Sequence, residues 1–261
     1  MGRDRTVIAV DIGNSRIKIG RFETPAAPLP LPSGVLEVEP HGEPFEQRLA
    51  AWLTAAGSQK FNWVIASVNR SLKDRLVHCV GSELGGDVLR TLTFKDLNLR
   101  IDLPQPEHVG IDRLLAAVAA NRLRDPQRPA AVIDIGTAIT VDAVSAEGVF
   151  LGGAILPGIR MSARALCQQT DLLPDIELIQ LEDPPTPIGK ATSQAIHSGL
   201  FWGALGAVRE LVARYTETLD AAPQVVLTGG AAPQVARLLS AETLYEPHLV
   251  LSGMALTAES M

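Results

Sequence analysis

TVIAVDIGNSRIKIGRF, residues 6–22, and AAVIDIGTAITVDAV, residues 130–144, share one pattern. Each is a β-branched run that ends in Asp-Ile-Gly, passes through small polar residues and resumes as a second β-prone run. Valine and isoleucine suit a pleated, half-buried surface, and a glycine between two such runs marks a turn, so each segment predicts a β-hairpin. The hairpin occurs twice, with Asp11 and Asp134 about half the chain length apart, which predicts two related lobes facing each other.

The stretches around the hairpins fill in each lobe. Residues 22–33 carry four prolines, Pro25, Pro28, Pro30 and Pro32, and predict an extended connection. Residues 34–39 predict a third strand, and residues 45–56 a helix with Phe45, Leu49, Trp52 and Leu53 on one face. Residues 62–68 read as a buried strand, 72–80 as a helix, and 111–123 as an alanine-rich helix with Leu114, Leu115 and Val118. Beyond the second hairpin, residues 149–156 predict a strand before Pro157-Gly158. Residues 192–219 predict a long helix whose Gly199, Gly203 and Gly206 allow close packing or a break, with Leu200, Phe201, Trp202 and Leu205 available to a twin chain. Residues 224–228 predict a strand delivering Gly229-Gly230 ahead of a short helix over 233–239. Strands interleaved with helices define an α/β protein. The division falls in the window 107–129 and is set at 118/119, giving an N-terminal lobe of residues 1–118 and a C-terminal lobe of residues 119–261.

Composition narrows the function. The 261 residues are 46% hydrophobic and 20% charged, enough for a sizeable core without staples. A net charge of −6 lacks the basic stripe that phosphate backbones select, which argues against nucleic acid as the main ligand. Cys79 and Cys167 fit neither a disulfide framework nor a CxxC metal site. The opening MGRDRTVIAVDIG holds an apolar run too short for a signal peptide or membrane span. The expectation is a cytoplasmic protein that handles small anionic ligands. His41, His78, His108, His197 and His248 show no metal-ligand spacing, and Lys190 in GKAT lacks the G-x-x-x-x-G-K frame of a P-loop.

The chemistry concentrates in four places. A glycine after an aspartate lets main-chain N–H groups approach a phosphate, and Gly13, Asn14 and Ser15 in one turn and Gly136, Thr137 and Ala138 in the other offer such donors. The carboxylates of Asp11 and Asp134 repel phosphate unless a cation stands between, and Mg²⁺ is the cation these residues by themselves suggest. Leu227-Thr228-Gly229-Gly230 suits backbone contact with a flat or anionic ligand, and its place after both hairpins assigns it to adenosine. Gly110-Ile111-Asp112-Arg113 opens an apolar helix; phosphoryl transfer to an alcohol wants a carboxylate to take the hydroxyl proton, and a guanidinium suits a substrate carboxylate.

The order hairpin, hairpin, strand-Gly-Gly-helix resembles the actin-like ATPase and sugar kinase superfamily. Within it, DIGNSRIKIGRF, PEHVGIDRLLAAVAA, AVIDIGTAITVDAV, GGAILPGIRMSARAL, PIGKATSQAIHSG and VVLTGGAA stand in the order seen in the type III pantothenate kinases, which include Bvg accessory factor homologues. The resemblance implies two ribonuclease H-like lobes with the nucleotide in the cleft between them, a homodimer, and transfer of the γ-phosphate of ATP to the 4′-hydroxyl of pantothenate, the first step of coenzyme A synthesis. It implies Mg²⁺ with ATP and a monovalent cation, K⁺ or NH₄⁺. Carried over by position, Asp11, Ile12, Gly13, Asn14, Ser15, Arg16, Ile17 and Lys18 become the ATP-phosphate segment, with Thr137 a further ATP contact. Gly110, Ile111, Asp112 and Arg113 become the pantothenate segment with Asp112 as catalytic proton acceptor, Thr192 a pantothenate contact from the partner chain, and Asp134 the monovalent-cation ligand in place of the Mg²⁺ role. Two positions depart from the family pattern: Ser15 stands for the usual threonine, and Leu103-Pro104-Gln105-Pro106 stands where a tyrosine is common.

Two other readings compete. One keeps the fold and changes the acceptor to a sugar or to water; the G-x-D-R element argues against it. The other is an actin-fold nucleotide-binding regulator without turnover, against which Asp112 and Arg113 weigh.

Overall fold

Both hairpins form, and each seeds a mixed sheet. The computed structural model describes residues 6–23, 28–39, 45–55, 61–83, 88–176, 184–230 and 232–261. β1 (Val7–Ile12) and β2 (Ile17–Phe22) run antiparallel with Ile12 opposite Ile17 and Asp11 opposite Lys18. β3 (Gly34–Val38) extends the sheet antiparallel to β2, while β4 (Asn62–Ser67) and β5 (Val88–Thr91) extend it in parallel beyond β1. The order is β3-β2-β1-β4-β5. A two-residue strand, β6 (Arg100–Ile101), precedes the helix α3 described below.

The second hairpin repeats the plan. β7 (Ala130–Ile135) and β8 (Ala138–Val144) are antiparallel, with Ile135 opposite Ile139 and Asp134 opposite Thr140. β9 (Val149–Pro157) pairs antiparallel with β8, and β10 (Gln224–Thr228) and β11 (Leu244–Tyr245) run parallel beyond β7. Five of the six strands of this sheet, in the order β9-β8-β7-β10-β11, follow the order of the first sheet.

Alternation along the strands decides what each sheet face packs against. In the first unit Ile8, Val10, Ile12, Ile17 and Ile19 build one core with Leu49 and Leu53 of α1 (Phe45–Ala55) and Leu76 and Val80 of α2 (Arg70–Glu83). Ala9 and Gly20 pair on the opposite face, and a Cβ on Gly20 would stand 3.1 Å from Leu251 of α7 (Leu249–Glu259). In the second unit Ile133, Ile135, Ile139 and Val141 pack on Phe201, Leu205 and Val208 of α5 (Thr192–Thr218) and on Val235 of α6 (Ala232–Leu239). Each such side chain stabilises its unit by about 1.5–3 kcal/mol when fully buried.

The division of the chain departs from the expected 118/119. One unit comprises residues 1–123 together with 248–261, the other residues 124–247. The reason is continuous packing: α3 (Ile111–Leu123) buries every residue from Leu114 to Ala120, and α7 lies on it so closely that any Cβ on Gly253 would overlap the carbonyl of Leu115. Two further expectations change. Helix α5 runs unbroken through Gly199, Gly203 and Gly206, where an added Cβ would meet nothing within 4 Å. Phe201 and Leu205, offered to a twin chain, lie in their own core at 4% and 1% exposure. Two helices, α4 (Ile159–Gln168) and α7, were not legible beforehand. Among the described residues no helix is long and apolar enough to cross a membrane. The side chains of Phe45 and Cys79, and all of His41, lie outside the described set.

Candidate functional site

The first turn closes on itself. The N–H of Gly13 donates to Arg16 O at 3.0 Å, and a Cβ on Gly13 would press to 3.2 Å from that same oxygen, so four residues join Ile12 to Ile17 tightly. Asn14 and Ser15 are exposed at its tip, while Ile12 and Ile17 are buried and anchor its base. Asp11, next to last in β1, is half-exposed between buried Val10 and Ile12, and its cross-strand partner Lys18 shares its face of the sheet. Arg16 is engaged within the unit: its Nη1 pairs with Glu37 Oε2 at 3.0 Å.

The second turn is one residue shorter. Gly136 N–H donates to Ala138 O at 3.0 Å, with Thr137 exposed between them. Asp134, like Asp11, is the half-exposed residue of a buried strand. Two glycines from elsewhere in this unit close on it. Gly229, at φ +104°, follows β10, and a Cβ there would stand 2.5 Å from both Asp134 Oδ1 and the carbonyl oxygen of Ile135. Gly158 precedes α4, its N–H donates to Thr137 O at 3.1 Å, and a Cβ there would stand 2.5 Å from Gly136 O. Gly158 was not singled out from the sequence, although Pro157-Gly158 at the end of a strand was its signal.

Asp134 Oδ1 and Ile135 O therefore converge on a space that a side chain at residue 229 would fill. Oxygen donors of this kind, one carboxylate and one carbonyl, suit a hard cation such as K⁺ or Mg²⁺ and disfavour a thiophilic metal. Among the described residues no group of three or more His, Cys, Asp or Glu forms a metal cluster, so any cation here relies on backbone and ligand oxygens.

The Gly110–Arg113 element belongs to the first unit. Gly110 O accepts from the N–H groups of Arg113 at 3.1 Å and Leu114 at 3.4 Å, which starts α3. The carboxylate of Asp112 folds back so that Oδ1 accepts from Arg113 N at 2.9 Å. A Cβ on residue 110 would stand 2.5 Å from that oxygen, so a side chain there would displace the carboxylate from this position. Oδ2 accepts no hydrogen bond from a described residue, leaving one face of the carboxylate open for a proton. Just upstream, His108 Nδ1 lies 3.1 Å from Gln105 Oε1 in a single turn of 3₁₀ helix. Leu103 is half-buried, without the aromatic hydroxyl seen at the corresponding place in the resembled family.

Thr192 opens α5 in the second unit and is exposed. The turn before it is held by Lys190 N–H donating to Gln194 Oε1 at 2.9 Å, and Gly189 lies against the backbone of Gln194 and Ala195. The first turn and the Asp112 element are thus placed on one unit, and the second turn, Gly229 and Thr192 on the other.

Two mixed sheets that share one order over five strands, each with a glycine-closed turn after a half-exposed aspartate, define the actin-like ATPase and sugar kinase fold. Solved structures with that fold align over nearly the whole chain. MreB5 of Spiroplasma citri bound to ADP superposes with a TM-score of 0.54 at 10% identity, covering 99% of this chain and 98% of its own. A 2-dehydro-3-deoxygalactonokinase-like protein of Sinorhizobium meliloti gives 0.54 at 11% identity, covering 97% and 98%. Sequence comparison goes further than fold: the type III pantothenate kinase family model matches residues 7–214, and the chain belongs to that family. The type III pantothenate kinase of Rhodopirellula baltica is 40% identical over 195 residues, 73% of this chain and 69% of that protein. That of Rubrobacter xylanophilus is 34% identical over 263 residues, 95% of each chain.

Proposed function

We propose that this chain transfers the γ-phosphoryl group of ATP to the 4′-hydroxyl of pantothenate, opening coenzyme A synthesis in the cytoplasm. The observation that carries the reading is the duplicated turn after a half-exposed aspartate, in a chain whose residues 7–214 match the type III pantothenate kinase family. Residues 11–18 bind the phosphates of ATP chiefly through main-chain N–H groups at Gly13, Asn14 and Ser15, and Thr137 adds a contact from its own turn. Residues 227–230 meet the adenosine.

Gly110, Ile111, Asp112 and Arg113 bind pantothenate. Arg113 takes its carboxylate as a forked pair. Asp112 accepts the 4′-hydroxyl proton on Oδ2 as that oxygen bonds to the γ-phosphorus, while the bond to ADP breaks and ADP leaves with the electron pair. Asp134, with Ile135 O beside it, holds the monovalent cation, K⁺ or NH₄⁺, and Mg²⁺ enters with ATP. A cation held there would offset phosphate charge next to the carboxylates.

The chain works as a homodimer in which Thr192 meets pantothenate bound to the other copy. Support for a covered surface lies in the apolar side chains that the second unit exposes, Ile155 at 63%, Leu172 at 92% and Ile188 at 81%. The deciding experiment measures ADP release with pantothenate against a panel of sugars and water alone, with K⁺ and with Na⁺. Turnover that needs pantothenate and K⁺ is the expected result; turnover with a sugar, or none with any acceptor, overturns the reading.

A further inference from the structure

The second unit carries a cleft at the edge of its sheet opposite the turns. Its volume is about 370 Å³, at the lower end of the range for small-molecule sites. Val212 of α5, Val225 of β10 and Leu239 of α6 give it an apolar floor, and Arg128 and Arg209 stand at its wall. Both guanidinium groups have hydrogen-bond partners within the unit. Arg128 Nη1 pairs with Glu242 Oε2 at 3.1 Å, its Nη2 donates to Ala222 O at 3.5 Å, and Arg209 Nη2 donates to Leu238 O. A guanidinium has five N–H donors, so each keeps donors to spare. Two arginines against Glu242, which lines the same cleft, leave one net positive charge.

We infer that this cleft is a second ligand site, built for a small monocarboxylate with a short apolar tail. The charge balance selects one negative charge, the forked donors select a planar carboxylate, and the apolar floor selects a hydrocarbon body over a bare anion. The site is separate from the candidate phosphoryl-transfer residues: the cleft is lined by Gln224 at the start of β10, and Gly229 follows the other end of that strand. On α5 it is lined by residues from Arg209 to Thr216, whereas Thr192 begins that helix.

The probe is hexanoate, watched by ligand-detected NMR line broadening on the full chain with saturating pantothenate and Mg·ADP present, so that the substrate site is filled. Broadening should saturate with hexanoate, be at least tenfold weaker with hexanol, hexylammonium or inorganic phosphate, and fall by at least tenfold in Arg209→Gln. Ala213→Phe, which places a ring in the cleft and keeps both arginines, should abolish it, while both variants keep wild-type turnover of pantothenate. Equal broadening by hexanol, equal binding of phosphate, loss of the signal when pantothenate is added, or unchanged binding in both variants each overturns the inference. Because pantothenate turnover is measured in the same samples, failure of the cleft is distinguished from failure of the kinase reading.

Discussion

Gly229 and Asp134 are fitted to one another: a Cβ at residue 229 would stand 2.5 Å from Asp134 Oδ1, and Gly229 holds φ at +104°, a conformation L side chains rarely adopt. The two residues sit at the ends of neighbouring parallel strands, with Thr228 in register with Asp134. The Gly-Gly element after β10 and the aspartate turn after β7 are therefore packed as one structure, and a side chain at residue 229 would crowd the oxygens of both Asp134 and Ile135.

Gly229→Ala should strike stability and function together. The strained backbone costs about 1–3 kcal/mol, and the new methyl displaces the two oxygens proposed to hold the cation. A lower urea midpoint with a raised K⁺ requirement for turnover is expected. A variant with wild-type stability and K⁺ response would mean that this contact does not shape the site.

Asp112→Asn should leave nucleotide binding intact and slow phosphoryl transfer. An amide fits the hydrogen bond to Arg113 N through its oxygen but accepts no proton, and a positioned base typically contributes ~10²–10⁴-fold. Rapid-quench measurement with bound ATP separates the steps. Transfer within a few-fold of wild type would remove Asp112 from the role.

Asp11→Ala should instead weaken use of Mg·ATP at saturating pantothenate. Asp11 stands next to last in β1 beside Lys18, where a carboxylate contributes chiefly through a cation it helps to place. The Mg²⁺ dependence of ATP titrations reads this out, and an unchanged dependence would leave the first aspartate a structural residue.

The hairpins were legible because they are written in β-branched residues around a turn glycine, a local signal. So was α3, whose predicted limits of 111 and 123 match the helix. Helix α7 was not: LVLSGMALTAE is buried almost all round, and a helix without a polar face has no 3.6-residue stripe to read. Its return to the first unit is a long-range packing fact that the expected boundary at 118/119 could not contain. Strands β6 and β11, at two residues each, are too short to show alternation. At the site, residue types were readable but their pairing was not: nothing in the sequence joins Arg16 to Glu37 of β3, 3.0 Å away.

Asp96 gives a stability test apart from the chemistry. Burial pushes its carboxyl pKa up, but hydrogen bonds from the Thr93 hydroxyl and N–H, both 2.8 Å, and the Arg90 guanidinium at 2.6 Å outweigh this and hold it below the usual value. A depressed carboxylate stabilises the fold above its unfolded pKa, near 3.9, and loses that contribution as the pH falls through the folded value. Asp96→Asn should therefore cost roughly 0.5–1 kcal/mol at pH 7, allowing for solvent screening, with the gap from wild type closing in strong acid. A gap that stays constant from pH 7 to pH 2 would count against the charge as its source.

The last prediction concerns the proposed partner chain. Thr192 is exposed at the start of α5, and its side chain forms no hydrogen bond to another described residue, while Asp112 lies on the other unit. If pantothenate meets Asp112 of one copy and Thr192 of the next, Asp112→Asn chains mixed with chains disabled at Thr192 should regain activity on subunit exchange. Each mixed dimer would hold one doubly damaged site and one intact site. With random pairing half the dimers are mixed, so recovery should approach roughly one quarter of the wild-type rate. The exposed Ile155, Met161, Leu172 and Ile188 offer an independent check, because a charge placed at Leu172, 92% exposed here, should prevent the dimer and abolish recovery together. If exchange is demonstrated by mass and the mixture stays inactive, each site is built from a single chain and Thr192 loses its cross-subunit role.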